Sequence, residues 1–93
     1  MKLLEQLDDL AREVLLHLPC EPNGHSLHEL AVDFLGGRDP ARLGRMREAL
    51  ERIAALLGPL AENQGVDDLG RADVVLYGLP RETYHFIRRL LRG

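Results

Sequence analysis

Residues 26–58 read SLHELAVDFLGGRDPARLGRMREALERIAALLG and contain two sets of helix start and stop signals. Ser26 with Glu29 three residues later is the pattern of a capping box, in which each side chain bonds the other residue's backbone N–H. Gly36-Gly37 ends this helix, because glycine adopts the left-handed conformation of a helix end without steric cost. A helix is therefore predicted from Ser26 to the double glycine.

The same stretch predicts a second, longer helix. Asp39 is a good N-cap acceptor, and Pro40 suits the first helical position because an N–H there would have no helical partner. Gly58-Pro59 is expected to stop the helix. The side chains expected to face the core recur at helical spacing: Leu43, Met46, Leu50, Ile53 and Leu57.

Outside this stretch the pattern predicts three further elements. Residues 2–18 carry leucines at steps of three and four, which is typical of an amphipathic helix. Their apolar stripe is wider than packing against one neighbour needs, so part of it is expected to face a second subunit. Residues 60–78 predict a β-hairpin, and residues 81–92 a final helix with arginines in its last turns.

These segments predict a single domain over residues 1–93, of the α+β class but mainly α. A chain of 93 residues excludes the large enzymes. Cys20 with His25 is a conceivable nucleophile and base, but no third group is suggested that would orient them. No glycine-rich phosphate loop occurs either, so the protein is not expected to be an enzyme.

The run from Ser26 to Pro80 resembles the winged helix-turn-helix family. The likeness lies in a helix-turn-helix over residues 26–57. It consists of a short helix with a Leu-Ala pair at residues 30–31, a turn, and a longer helix. The longer helix ends in ALERIAALLGPLAE at residues 49–62, which leads into the hairpin. The resemblance implies that this helix enters the DNA major groove, that the hairpin at residues 60–78 is a wing beside the DNA backbone, and that the outer helices often pair.

The expected function is therefore that of a small DNA-binding protein, a transcriptional regulator that forms a homodimer through its N- and C-terminal helices. Recognition helices meet bases and phosphates near their N-termini, so the basic residues there are the first candidates. The predicted contacts with double-stranded DNA, including one in the wing, are Arg38, Arg42, Arg45, Arg47 and Arg71.

Acidic side chains favour an alternative, a winged-helix protein–protein interaction module that does not bind DNA. On the longer helix the i,i+4 spacings predict two ion pairs, Glu48–Arg52 and Arg47–Glu51. The wing is expected to repel phosphates, because its acidic residues surround one arginine. Those acidic residues are Asp67, Asp68 and Asp73.

Overall charge does not decide between the two functions. The chain has a formal net charge of −3, but residues 36–57 hold five basic and three acidic side chains. Residues 81–93 hold four basic and one acidic side chain. An acidic protein can bind DNA through one positive face, because only the side chains near the phosphates contribute.

One weak metal-site candidate surrounds the turn after the first helix. Its residues have the spacing His-x2-Cys-x4-His-x2-His and are His17, Cys20, His25 and His28. Imidazole and thiolate groups are zinc ligands, but this spacing is not typical of a family signature. Surface histidines and a loop thiol are the simpler interpretation, so no metal and no cofactor are expected.

The protein is expected to be cytoplasmic and not to act at a membrane. Its longest apolar stretches are far shorter than the roughly 18 residues of a membrane span, and residues 1–18 lack the pattern of a secretion signal. A lone cysteine cannot form an internal disulfide, which agrees with a reducing compartment.

Overall fold

The first of the two helices predicted within residues 26–58 begins at its capping box. The structure is a computed structural model that describes residues 3–67 and 69–92. The hydroxyl of Ser26 accepts the backbone N–H of Glu29 at 3.1 Å, and the Glu29 carboxylate accepts that of Ser26 at 3.4 Å. The helix, α2, covers Leu27–Leu35 and ends at Gly36, whose φ of 78° is left-handed.

The long helix also follows its predicted signals. Asp39 is the N-cap and accepts the backbone N–H of Arg42 at 3.3 Å. The helix, α3, covers Pro40–Leu57, and Gly58 follows as its C-cap. Its buried side chains are Met46, Ala49, Leu50 and Ile53. Of the predicted core positions, Leu43 and Leu57 are only half-buried.

The predicted helix over residues 2–18 is wrong in extent. The helix, α1, covers only Asp9–His17, and a 3₁₀ turn at Leu4–Gln6 precedes it. The cause is Asp8, whose carboxylate accepts the N–H of Ala11 at 2.8 Å and so caps α1. A short acidic side chain favours such a cap over a place inside a helix. Met1 and Lys2 lie outside the described residues.

This break lets the N-terminal leucines pack onto the protein's own core. Leu4 and Leu7 are only 5% and 4% exposed. The guanidinium of Arg12 donates to their carbonyls, at 3.3 Å to Leu4 and 3.0 Å to Leu7, and holds the segment in place. Most of the leucine stripe, part of which was predicted to face a second subunit, is therefore buried within one chain.

A three-stranded antiparallel sheet lies beside the helices. Its strands are β1 (His25–Ser26), β2 (Ala61–Gly65) and β3 (Val74–Gly78), in the order β1-β3-β2. β2 and β3 form a hairpin within the predicted segment 60–78, with Ala61 opposite Gly78 and Gly65 opposite Val74. Strand β1 is not predictable from the sequence, because two residues are too few to show an alternating pattern.

The turn at residues 19–24 packs directly on the end of β3. Leu79 donates its N–H to the carbonyl of Pro19 at 2.8 Å, and Glu21 donates to the carbonyl of Leu79 at 2.9 Å. A side chain at Gly78 would collide with the carbonyl of Asn23, so this approach requires glycine. The turn thereby places β1 and the start of α2 against the hairpin.

The last helix, α4, covers Arg81–Leu91 and lies within the predicted segment 81–92. Ile87 is buried, whereas Phe86 and Leu91 are 40% and 41% exposed. The core of the molecule joins α1, α2, α3 and α4 with Leu79 after the sheet. In the described part of the chain, no helix has both the length and the apolar composition needed to cross a bilayer.

Candidate nucleic-acid interface

The outward surface of α3 has two small residues and one glutamate along its middle line. Ala41, Gly44 and Glu48 are spaced i, i+3 and i+7, so they follow one line along the helix. Around Gly44 the surface is open, because a Cβ added there would meet no heavy atom within 4 Å. Packing inside the protein therefore does not require glycine at this position.

Two arginines flank this line. Arg45 and Arg47 are both exposed. At 100° per residue they differ by 200°, which puts them on opposite flanks of the helix. Within the residues that the structure describes, neither makes an ion pair or a side-chain hydrogen bond. Two cationic groups are thus available for an external ligand.

The two predicted ion pairs of α3 differ in outcome. Arg52 lies 4.0 Å from Glu48, as predicted, but its shorter contact is with Asp8 at 2.9 Å. That second contact joins α3 to the cap of α1. The predicted pair between Arg47 and Glu51 does not form among the described residues.

Arg42 connects α2 to α3. Its Nε donates to the carbonyl of Leu35 at 2.9 Å, and its Nη1 donates to Asp39. The hydrogen bond from the Arg42 side chain is the main cause that holds the pKa of Asp39 below its ordinary value of 3.8. Arg42 therefore has a structural role, although 47% of its side chain stays exposed.

Arg38 lies in the loop before α3 and is half-buried. It precedes the Asp39 cap directly, so it is at the same end of α3 as Arg42. This end of the helix carries the positive end of the helix dipole, which favours anions.

The hairpin tip is organised around Asp67. Its carboxylate is fully buried and accepts the N–H groups of Leu69 and Arg71, at 3.0 and 2.8 Å. The same carboxylate accepts the Nε of Arg71 at 2.7 Å. Burial raises the pKa of Asp67, but these hydrogen bonds and the Arg71 charge outweigh it and hold the pKa below 3.8.

The tip is consequently less repulsive to phosphates than its composition predicts. Asp67 does not face solvent, and its charge is compensated by Arg71. Arg71 is in turn held by the tip, with 47% of its side chain exposed. Asp73 is exposed with a φ of 60°, and Asp68 lies outside the described residues.

The histidine and cysteine residues of the weak metal candidate do not form a ligand set. His17 packs edge-on against Phe34, with ring centroids 5.1 Å apart, and His25 lies 3.3 Å from Glu29. Over residues 3–67 and 69–92, no group of three or more histidine, cysteine or acidic residues is placed to hold a metal ion.

Comparisons with known proteins do not assign this surface. No family model matches the chain, and no curated protein or solved structure is significantly similar to it. The function therefore has to be argued from the geometry of α3 and its surroundings. The sequence predicts the arginines, and helical spacing also puts Gly44 on this side of α3, but no role at the site was assigned to Gly44. The available signal was a glycine inside a helical pattern.

Proposed function

We propose that the protein is a winged helix-turn-helix protein that binds double-stranded DNA through α3. The element order α1, β1, α2, α3, β2, β3, α4 and the strand order β1-β3-β2 are consistent with a winged-helix layout. In that layout α3 is the helix that enters the major groove, and the β2–β3 hairpin is the wing.

The observation that carries the proposal is the pair of arginines on opposite flanks of α3 whose side chains have no partner among the described residues. A helix in the major groove lies between the phosphates of two strands, and the groove is about 12 Å wide. Arg45 on one flank and Arg47 on the other suit one strand each. Ala41 and Gly44 between them let the helix backbone approach the base edges closely.

The acidic residue on this surface, Glu48, is also proposed to contact the DNA. Glu48 is 69% exposed and follows Gly44 on the middle line of α3. A glutamate in the major groove can accept a hydrogen bond from the N4 amino group of cytosine. Glu48 is therefore proposed to read a base, while the arginines bind phosphates.

The other three predicted arginines are proposed to add phosphate contacts to those of Arg45 and Arg47. Arg38 and Arg42 lie at the start of α3, where a phosphate also meets the helix dipole. Arg71 presents the exposed part of its guanidinium at the wing. The role we propose for such a protein is that of a transcriptional regulator in the cytoplasm.

We also propose that the protein forms a homodimer. Its subunit interface is smaller than the sequence predicts, because most of the N-terminal leucines are buried within one chain. Phe86 and Leu91 of α4 are the exposed apolar residues of this region. A shallow depression of about 390 Å³ beside Phe86 is lined by Leu3, Leu56 and Leu57. Pairing through α4 and the N-terminal segment would cover these side chains, and the buried leucines of α1 take no part.

Duplex binding by arginine variants tests the proposed function. We expect Arg45→Ala and Arg47→Ala each to weaken binding of a random-sequence duplex roughly 3- to 10-fold at low salt, because each removes a charged contact. Fluorescence anisotropy with a labelled duplex measures this directly. The matched control is Arg89→Ala, which removes the same charge from an exposed position of α4.

Equal affinity of all three variants and the parent would contradict the assignment of α3 as the DNA-binding helix. The alternative, a protein–protein interaction module that does not bind DNA, is favoured by one observation. Val66 and Leu69 at the hairpin tip are 61% and 60% exposed, and neighbouring exposed apolar side chains suit a protein partner.

A further inference from the structure

An open groove of about 570 Å³ lies between the C-terminal half of α3, the hairpin and the start of α2. Its apolar wall includes Leu50, Leu60 and the ring of Tyr77. Three charged side chains also line it, namely Arg47, Glu51 and Glu62. Volumes of 300–1,000 Å³ with mostly apolar walls and few polar groups are typical of small-molecule sites.

The charges around the groove are unbalanced. Glu51 and Glu62 are exposed, and among residues 3–67 and 69–92 neither carboxylate has an ion-pair or hydrogen-bond partner. Arg47 is a single cation against these two carboxylates. An apolar wall next to a net negative rim is complementary to a molecule with an apolar body and a positive group.

We propose that this groove binds a small amphipathic amine. The protonated nitrogen lies by Glu51 and Glu62, and the apolar body covers Leu50, Leu60 and Tyr77. The carboxylates supply charge-assisted hydrogen bonds, which are roughly twice as strong as neutral ones. The Tyr77 ring adds aromatic contact area to the apolar wall.

The same arrangement discriminates among ligands of one shape. An alcohol with the same body makes the apolar contacts but forms no ion pair. A carboxylate with the same body places a negative charge beside Glu51 and Glu62, where like charges repel. The expected order of affinity is therefore amine, then alcohol, then carboxylate.

This inference goes beyond DNA binding and does not depend on it. Arg47 lines the groove and is also a proposed phosphate contact, but the amine is held by Glu51 and Glu62. Amine binding can thus be measured without DNA, and its failure would leave the arginine assignments untouched.

A matched set of probes tests the site. We would add 4-phenylbutylamine, 4-phenylbutanol and 4-phenylbutanoate separately to ¹⁵N-labelled protein at neutral pH and follow amide chemical shifts. The amine is expected to shift the amides of Ala54, Glu62 and Tyr77 saturably, with a Kd of roughly millimolar for a ligand of this size. The carboxylate is expected to shift them least.

Three variants test the ionic contacts. Glu51→Gln and Glu62→Gln keep the side-chain shape at exposed positions, and each is expected to weaken amine binding about 5-fold or more while leaving the alcohol unchanged. The control is Glu48→Gln, which removes a carboxylate from the same helix outside the groove and should not change amine binding. The amide spectrum of each variant verifies that it is folded.

The proposal is overturned by any of three results. These are the absence of saturable shifts with the amine, equal binding of the amine and the carboxylate, and an amine affinity unchanged in Glu51→Gln and Glu62→Gln.

Discussion

Gly44 occupies a half-buried position in the N-terminal half of α3, where alanine would be the more stable residue. Glycine costs roughly 0.5–1 kcal/mol relative to alanine inside a helix, and an added Cβ would meet nothing within 4 Å. Gly44→Ala is therefore expected to raise the free energy of unfolding by about that amount, as measured by urea denaturation. A decrease in stability would show that this surface of α3 is packed.

Leu50 lies on the opposite side of α3, in the core, with 6% of its surface exposed. Leu50→Ala should lower the free energy of unfolding by roughly 2–5 kcal/mol, because it leaves a cavity among buried side chains. The control Glu48→Ala on the outward surface should change it by less than about 0.5 kcal/mol. A loss below about 1 kcal/mol for Leu50→Ala would mean that α3 packs through another face.

Asp67 makes the hairpin tip sensitive to acid. Its pKa is lower in the folded protein than the ordinary 3.8, so its contribution to stability is complete above pH 3.8 and is lost as pH falls through the folded pKa. The amide signals of Leu69 and Arg71 should therefore titrate below pH 3.8. The stability difference between the parent and Asp67→Asn should shrink over the same range. A tip that titrates at or above pH 3.8 would contradict the hydrogen bonds described for Asp67.

At the scale of elements, α2 and α3 were predictable because both their ends are set locally. The Ser26 capping box, Gly36 and the Asp39 cap act over three or four residues, so the signals are readable in sequence. The N-terminal segment differs, because leucine spacing alone cannot show that Asp8 caps a new helix in place of continuing one. Strand β1 depends on pairing with Tyr77 and Leu76, which are about fifty residues away in sequence.

In the candidate site, too, features set by neighbouring residues were predictable, whereas contacts between distant elements were not. Sequence position indicated that Arg45 and Arg47 lie early in α3. It did not indicate which arginines are engaged elsewhere, because the partners belong to other elements or to a folded loop. Arg42 bonds the end of α2, Arg52 bonds Asp8, and Arg71 is held by a carboxylate that burial hides from solvent.

At the scale of the whole molecule, the exposed apolar side chains of α4 predict self-association. Light scattering coupled to size exclusion at micromolar concentration should report about twice the chain mass of 10.5 kDa. Phe86→Lys should yield a monomer, because it places a charge in the proposed contact. Val75→Lys changes another exposed apolar residue, outside α4, and should stay dimeric. A parent protein that is monomeric under these conditions would contradict the dimer.

The central claim is that α3 binds duplex DNA through Arg45 and Arg47, and the salt dependence of binding tests it most directly. A labelled random-sequence duplex would be titrated with the parent protein at several salt concentrations between about 50 and 200 mM. The logarithm of the binding constant should fall linearly with the logarithm of salt concentration, and each arginine-to-alanine change should reduce the slope by about one unit. A parent protein whose binding is absent or independent of salt, or a slope that stays unchanged when both arginines are replaced, would contradict the account.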